Sequence, residues 1–140
     1  MALADELGVA DRVRFVPPQP HHLLSTYYRA ADVVLVPSRS ESFGLVALEA
    51  AACGVPVVAA AVGGLRTLVD DGRTGLLVER RDAEAFAQAA SQILSDDSFA
   101  ARLGGAAASR AQGYTWSVAA ARLRRIYADL AVLVPVDCAA

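Results

Sequence analysis

The 140-residue sequence predicts an α/β fold: a Rossmann-like parallel sheet with helices on both faces and a helical C-terminus. Three observations carry that prediction. Short apolar runs alternate with stretches of helical period, and strands that are apolar throughout belong to parallel sheets covered on both sides. Proline or glycine stands at the ends of these runs, as at Pro37 and Gly63-Gly64. The last third of the chain carries helical patterns without an intervening strand.

Taken in order, Ala2 to Leu7 reads as a short helix stopped by Gly8, where a positive φ is cheap. Arg12 to Val16 alternates charged and apolar residues as a strand does, and Pro17-Pro18 ends it. In His21 to Ala31, Leu23, Leu24, Tyr27, Tyr28 and Ala31 recur at spacings of three and four, which is helical. Asp32 to Val36 is a continuous apolar strand, halted by Pro37. Gly44 to Cys53 is a helix closed by Gly54, and Pro56 to Val62 is the next buried strand. A short helix, Leu65 to Val69, leads through Asp70-Asp71-Gly72 into the strand Gly75 to Val78. Ala83 to Leu94 gathers Phe86, Ala89, Ala90 and Ile93 on one face, with Asp82 placed to cap it. Ser98 to Ala111 follows, interrupted by Gly104-Gly105, and Ser117 to Val134 is the last helix. Residues 1–134 form one domain; 135–140 are a frayed tail after Pro135.

Composition narrows the function classes. Hydrophobic residues make up 55% and charged residues 20%, and the net charge of −2 offers no basic field for nucleic acid. The longest apolar runs fall short of the roughly twenty residues a bilayer needs, and no secretory signal opens the chain. A cytoplasmic setting is the expectation. Cys53 and Cys138 make neither a disulfide framework nor a zinc site. All 13 basic side chains are Arg, with no Lys and no Asn. With abundant Ala, this suggests a GC-biased coding sequence rather than a selected charge chemistry.

The chemistry concentrates in Pro37 to Ala50, where a strand gives way to a polar loop and then a helix. The free N–H groups of that helix start suit an anion, and Gly44 lets a phosphate approach the backbone. Glu41 precedes the helix and Glu49 lies about a turn and a half inside it. A carboxylate accepts paired hydrogen bonds from a vicinal diol, so the arrangement suits a nucleoside diphosphate sugar. Taken alone, two glutamates are more often a surface loop residue and a solvated helix position. Here Glu49 is flanked by Leu45 to Leu48 and Ala50 to Cys53, so the helix reads as apolar nearly all round and buried. A buried carboxylate needs a partner, and a bound diol would supply it. His21 and His22 are adjacent and read as solvated or capping residues; Trp116 and Tyr127 read as packing, within this domain or against a missing one. Gly63-Gly64 divide evenly between a plain turn and a loop running close to a sugar.

Pro-Ser-x-x-Glu-Ser-Phe-Gly-Leu-Val-Ala-Leu-Glu-Ala, followed by Cys-Gly-Val-Pro-Val-Val-Ala and Val-Gly-Gly, resembles the signature of family 4 glycosyltransferases of GT-B architecture. The likeness runs from about Arg12 to Tyr127. With Phe-Val-Pro-Pro-Gln-Pro and Tyr-Arg-Ala-Ala-Asp, it resembles the branch that transfers N-acetylglucosamine from UDP to 1D-myo-inositol 3-phosphate, with retention, in mycothiol biosynthesis. The resemblance implies a partial C-terminal, donor-binding domain, incomplete on its N-terminal side. It implies that Glu49 holds the ribose hydroxyls and Glu41 the donor sugar, while the backbone of Phe43, Gly44 and Leu45 faces sugar and diphosphate. Gln19 matches a position near the uracil where the family can carry Arg. Tyr28, Arg29 and Ala31 match a magnesium site of that branch, although its Thr, near Val55, is absent; no metal is needed for the chemistry.

The family's Arg and Lys pyrophosphate clamp cannot be complete in a chain without Lys, and the acceptor domain is expected elsewhere. The chain alone is therefore expected to show no turnover, and the last helix, without the other domain, to drive self-association. A homodimer of the full-length enzyme is compatible with the resemblance. Two other readings compete: a stand-alone or degenerate nucleotide-sugar-binding module without catalysis, and transfer of another hexose to another acceptor.

Overall fold

The computed structural model describes residues 2–80 and 82–133. Its elements are α1 (Ala2–Glu6), a 3-10 turn (Ala10–Arg12), α2 (His21–Arg29), β1 (Val34–Val36), α3 (Leu45–Ala52) and β2 (Val57–Ala60). They continue with α4 (Leu65–Leu68), β3 (Leu76–Val78), α5 (Ala83–Leu94), α6 (Asp97–Ala111) and α7 (Trp116–Leu133). The three strands form one parallel sheet in the order β1-β2-β3, pairing Val34 with Val57 and Val58 with Leu76. Among the described residues the strand order follows the chain, so no reversal of order marks a ligand crevice.

Alternation along β2 divides the core. Val57 and Ala59 face a layer with Val36, Ala47, Ala50, Leu65, Leu68 and Val69, against which Tyr28 and Tyr114 also pack. Val58 and Ala60 face Val78, Phe86, Ile93 and Leu103 on the other side. Successive strand side chains point to opposite faces, so a strand apolar throughout needs helices on both. Here α3 and α4 cover one face and α5 the other, and α6 packs against both α3 and α5.

Sequence signals explain most ends. Gly8 and Gly54 sit beyond α1 and α3 at φ +66° and +78°, as the C-terminal glycines predicted. Asp82 caps α5, its Oδ1 accepting from the Ala85 N–H at 2.8 Å. Asp96 does the same for α6, accepting from the Phe99 N–H at 2.9 Å. Arg110 reaches back from α6 to the end of α4, donating to the Leu68 carbonyl at 2.9 Å and the Thr67 carbonyl at 2.6 Å.

Three expectations change. Arg12 to Val16 is not a strand: Val13 is extended, but among the described residues no neighbour supplies a ladder, and strand pattern without a partner makes no sheet. Gly104-Gly105 do not interrupt α6, which runs continuously from Asp97 to Ala111. Gly104 is there because a Cβ would overlap the Gly54 carbonyl, where α6 crosses the turn after α3. Trp116 and Tyr127 do not pack among the described residues, where they are 92% and 61% exposed, which leaves only the expected other domain for them to pack against. The tail and Cys138 lie outside the described residues.

Candidate functional site

The site is assembled at the carboxyl ends of the strands, from the loop between β1 and α3 and its surroundings. Gly44 is buried at φ +100°, in the left-handed region that a side chain resists. That turn lets the chain leave the loop and enter α3 while Leu65 closes over it; a Cβ on Gly44 would meet Leu65 Cδ2. No side chain caps α3. Its first N–H groups, beginning at Leu45, are left for another acceptor, and the helix dipole favours a negative one.

The loop after β2 is clamped to this loop through main chain. The Gly64 N–H donates to the Glu41 carbonyl at 2.9 Å. A Cβ on Gly63 would overlap the Glu41 carbonyl, and one on Gly64 would overlap Ser42 and Phe43 backbone. Gly63-Gly64 are thus more than a turn: their missing side chains let two loops lie against each other and set the Glu41 backbone. Phe43 is held from the other side by Tyr114, with ring centroids 5.9 Å apart at 67°.

Glu49 does not sit as the sequence suggests. Only Ala47 and Ala50 of α3 are buried; Leu45 and Val46 are exposed, and the Glu49 side chain is 29% exposed. The expectation of a helix buried all round fails because, among the described residues, no layer covers the outer face of α3 at its N-terminal end. Nor is its carboxylate without a protein partner. The Tyr28 hydroxyl, from the last turn of α2, donates to Oε2 at 2.8 Å. His21 Nε2, from the first turn of α2, lies 3.7 Å from Oε1 and is 86% exposed. His21 is therefore solvated, as expected, but it also borders the site. Burial, then the Glu49 hydrogen bond and charge, push the Tyr28 phenol up to about 12, so it stays protonated and able to donate.

Gln19 stands two residues before His21, in the extended segment that leads into α2, and donates through Nε2 to the Pro17 carbonyl at 2.9 Å. Glu41 is half-buried beside the glycine loop. The structure thus gathers Glu41, Phe43, Gly44 and Leu45 in one loop and helix start, with Glu49 further along that helix, while Gln19 lies in the segment that leads into α2. A groove of about 650 Å³ opens on the α5 face, where Pro37 and Arg39 at the start of the same loop meet Leu35, Ala60 and Phe86.

Tyr28, Arg29 and Ala31 do not form a convincing magnesium site. The set contains no carboxylate, the Tyr28 carbonyl accepts from the Ala31 N–H at 3.0 Å, and Arg29 is a cation. Magnesium is usually held through carboxylates and water, so these residues do not fit it. Among the described residues no cluster of three or more His, Cys, Asp or Glu is placed to hold a metal.

One ion pair was not foreseen. Arg66 of α4 and Glu79 after β3 form a bidentate ion pair, Nη1 to Oε1 at 2.8 Å and Nη2 to Oε2 at 2.5 Å. Its hydrogen bonds lower the Glu79 carboxyl and raise the Arg66 guanidinium. No helical spacing links residues thirteen apart, so no sequence signal could have found it.

The chain is 55% identical over 125 residues to a D-inositol 3-phosphate glycosyltransferase of Frankia alni, a match spanning 89% of this chain and 31% of that protein. It thus spans about a third of the length of the curated relatives it matches. Sucrose-phosphate synthase from Thermosynechococcus elongatus superposes with a TM-score of 0.86 at 44% identity, over 95% of this chain and 34% of that one. Anabaena Alr3699/HepE in complex with UDP-glucose gives a TM-score of 0.78 at 27% identity, over 94% of this chain and 35% of that one. No helix among the described residues is long and apolar enough to cross a membrane. The sequence profile described as "Glycosyl transferases group 1" matches residues 1–110, and the chain belongs to that family.

Proposed function

We propose that this chain is the donor-binding part of a retaining, family 4 glycosyltransferase of GT-B architecture, whose acceptor domain lies in a longer protein. The donor is UDP-N-acetylglucosamine and the acceptor 1D-myo-inositol 3-phosphate. The N–H groups at the start of α3 receive the diphosphate, and Glu49 takes the ribose hydroxyls. Glu41, Phe43 and Leu45 border the donor sugar, and Gln19 the uracil. The relatives named D-inositol 3-phosphate glycosyltransferase support the acceptor, and the UDP-glucose complex of HepE supports a uridine donor.

The observation that carries the reading is the uncapped start of α3 at a left-handed, buried Gly44, with a carboxylate about five residues, roughly 7.5 Å, further along the same helix. An anion and a diol on one small ligand match that spacing. Binding of UDP-N-acetylglucosamine, UDP-glucose and GDP-mannose to the 140-residue chain, followed by titration calorimetry, tests it. The uridine donors are expected to bind, N-acetylglucosamine best, and Glu49→Gln to weaken them roughly tenfold or more. Undiminished donor affinity in Glu49→Gln would overturn the assignment.

A further inference from the structure

Glu49 makes a contact that a solvated helix carboxylate does not need. Tyr28 is anchored against the core by its ring, and its hydroxyl ends 2.8 Å from Oε2, across the α2–α3 packing. The bond joins residues 21 positions apart, so it depends on tertiary packing alone. Oε1 is left differently. His21 Nε2 stands 3.7 Å away, beyond hydrogen-bond range, and nothing else in the described residues donates to that oxygen. One carboxylate oxygen is thus tied to a half-buried phenol while the other is open at a rim that solvent reaches.

We propose that Tyr28 is a positioning residue for the donor, fixing the Glu49 carboxylate through Oε2 so that Oε1 stays available to a ribose diol. The inference rests on the reading of Glu49 as the diol acceptor. A free glutamate must lose side-chain freedom when it binds, and a carboxylate already held loses less. Tyr28 itself touches no ligand in this role. Its effect therefore passes entirely through Glu49, and it acts only on ligands that carry the hydroxyls.

The test uses the 140-residue chain, isotope-labelled so that weak binding is followed by NMR titration with UDP and with 2′,3′-dideoxyuridine diphosphate. Tyr28→Phe keeps the ring and its packing and removes only the hydroxyl. It is expected to weaken UDP roughly threefold to tenfold, to leave the dideoxy nucleotide unchanged, and to add nothing in a Glu49→Gln background. Equal losses for both nucleotides would reveal a general structural role and overturn the proposal. Undiminished UDP affinity in Tyr28→Phe, with Glu49→Gln still weakened, would also overturn it and leave the donor assignment standing. Undiminished UDP affinity in Glu49→Gln, or no UDP binding by the unsubstituted chain, would remove the assignment and the inference together.

Discussion

At the scale of single residues, exposed carboxylates that accept hydrogen bonds add a small acid dependence to this protein's stability. Asp82 lies below the usual carboxylate range because the Ala85 N–H, first, and then Arg80 favour its ionised form. Asp96 is lowered by the Ser98 hydroxyl and the Phe99 N–H, and Glu79 by Arg66. A group whose folded value is depressed contributes stability above its unfolded value, and that contribution disappears as pH falls through the folded one. Stability should therefore decline as pH drops from about 4 downward, with each exposed group contributing only a little. Asp82→Asn keeps a cap but cannot ionise, so it is expected to flatten that acid decline. Asp82→Ala is expected to lower the melting midpoint by a few degrees at neutral pH. Circular dichroism melts of the three chains across this pH range check both outcomes; parallel acid declines in wild type and Asp82→Asn would contradict the first. Asp82 was legible as a cap because a cap depends on neighbours three positions away. The Tyr28–Glu49 pair was not, since it depends on how two helices lie against each other.

Elements were legible where pattern and packing ask for the same thing. The runs that became β1, β2 and β3 are apolar throughout, and the structure buries β2 completely. Arg12 to Val16 has strand pattern but no strand beside it, so local preference had nothing to stabilise. The loop was legible as geometry: the turn at Gly44 and the helix carrying Glu49 stand where the sequence puts them, but the exposed outer face of α3 was not visible, because apolar composition does not say which neighbours are present. Helix α6 shows the same limit in one dipeptide. Gly104 is buried where a Cβ would overlap the Gly54 carbonyl, whereas a Cβ on Gly105 would meet nothing within 4 Å. Adjacent substitutions should therefore have opposite signs. Gly105→Ala is expected to stabilise by roughly 0.5–1 kcal/mol through helix propensity, and Gly104→Ala to destabilise by about 1–3 kcal/mol through overpacking. Urea unfolding of the two variants decides this; a stabilised Gly104→Ala would mean that α6 and the Gly54 turn are not in close contact.

At the scale of the whole molecule, α7 sets the behaviour in solution. From Trp116 to Ala131 every residue except Val118 is exposed, so the helix does not hide an apolar side in the described fold. Leu123, Ile126, Tyr127 and Leu130 recur at spacings of three, one and three, which places them along one stripe, each about half exposed or more. A helix of this length with such a stripe gains by burying it, at roughly 25 cal/mol per Å² of apolar surface. Arg122, Arg124 and Arg125 flank the stripe, and their mutual repulsion opposes its pairing, so association should be concentration-dependent rather than complete. The 140-residue chain is expected to show a rising mean mass in light scattering as its concentration increases. Ile126→Glu, which puts a charge in the middle of the stripe and touches no core residue, is expected to return it to a monomer with an unchanged melting midpoint. A wild-type chain that stays monomeric at high concentration would show that the stripe alone is too small to hold two copies together. Association that survives Ile126→Glu would move the contact to another surface, with the exposed Phe43, Leu45 and Val46 at the head of α3 next to be substituted.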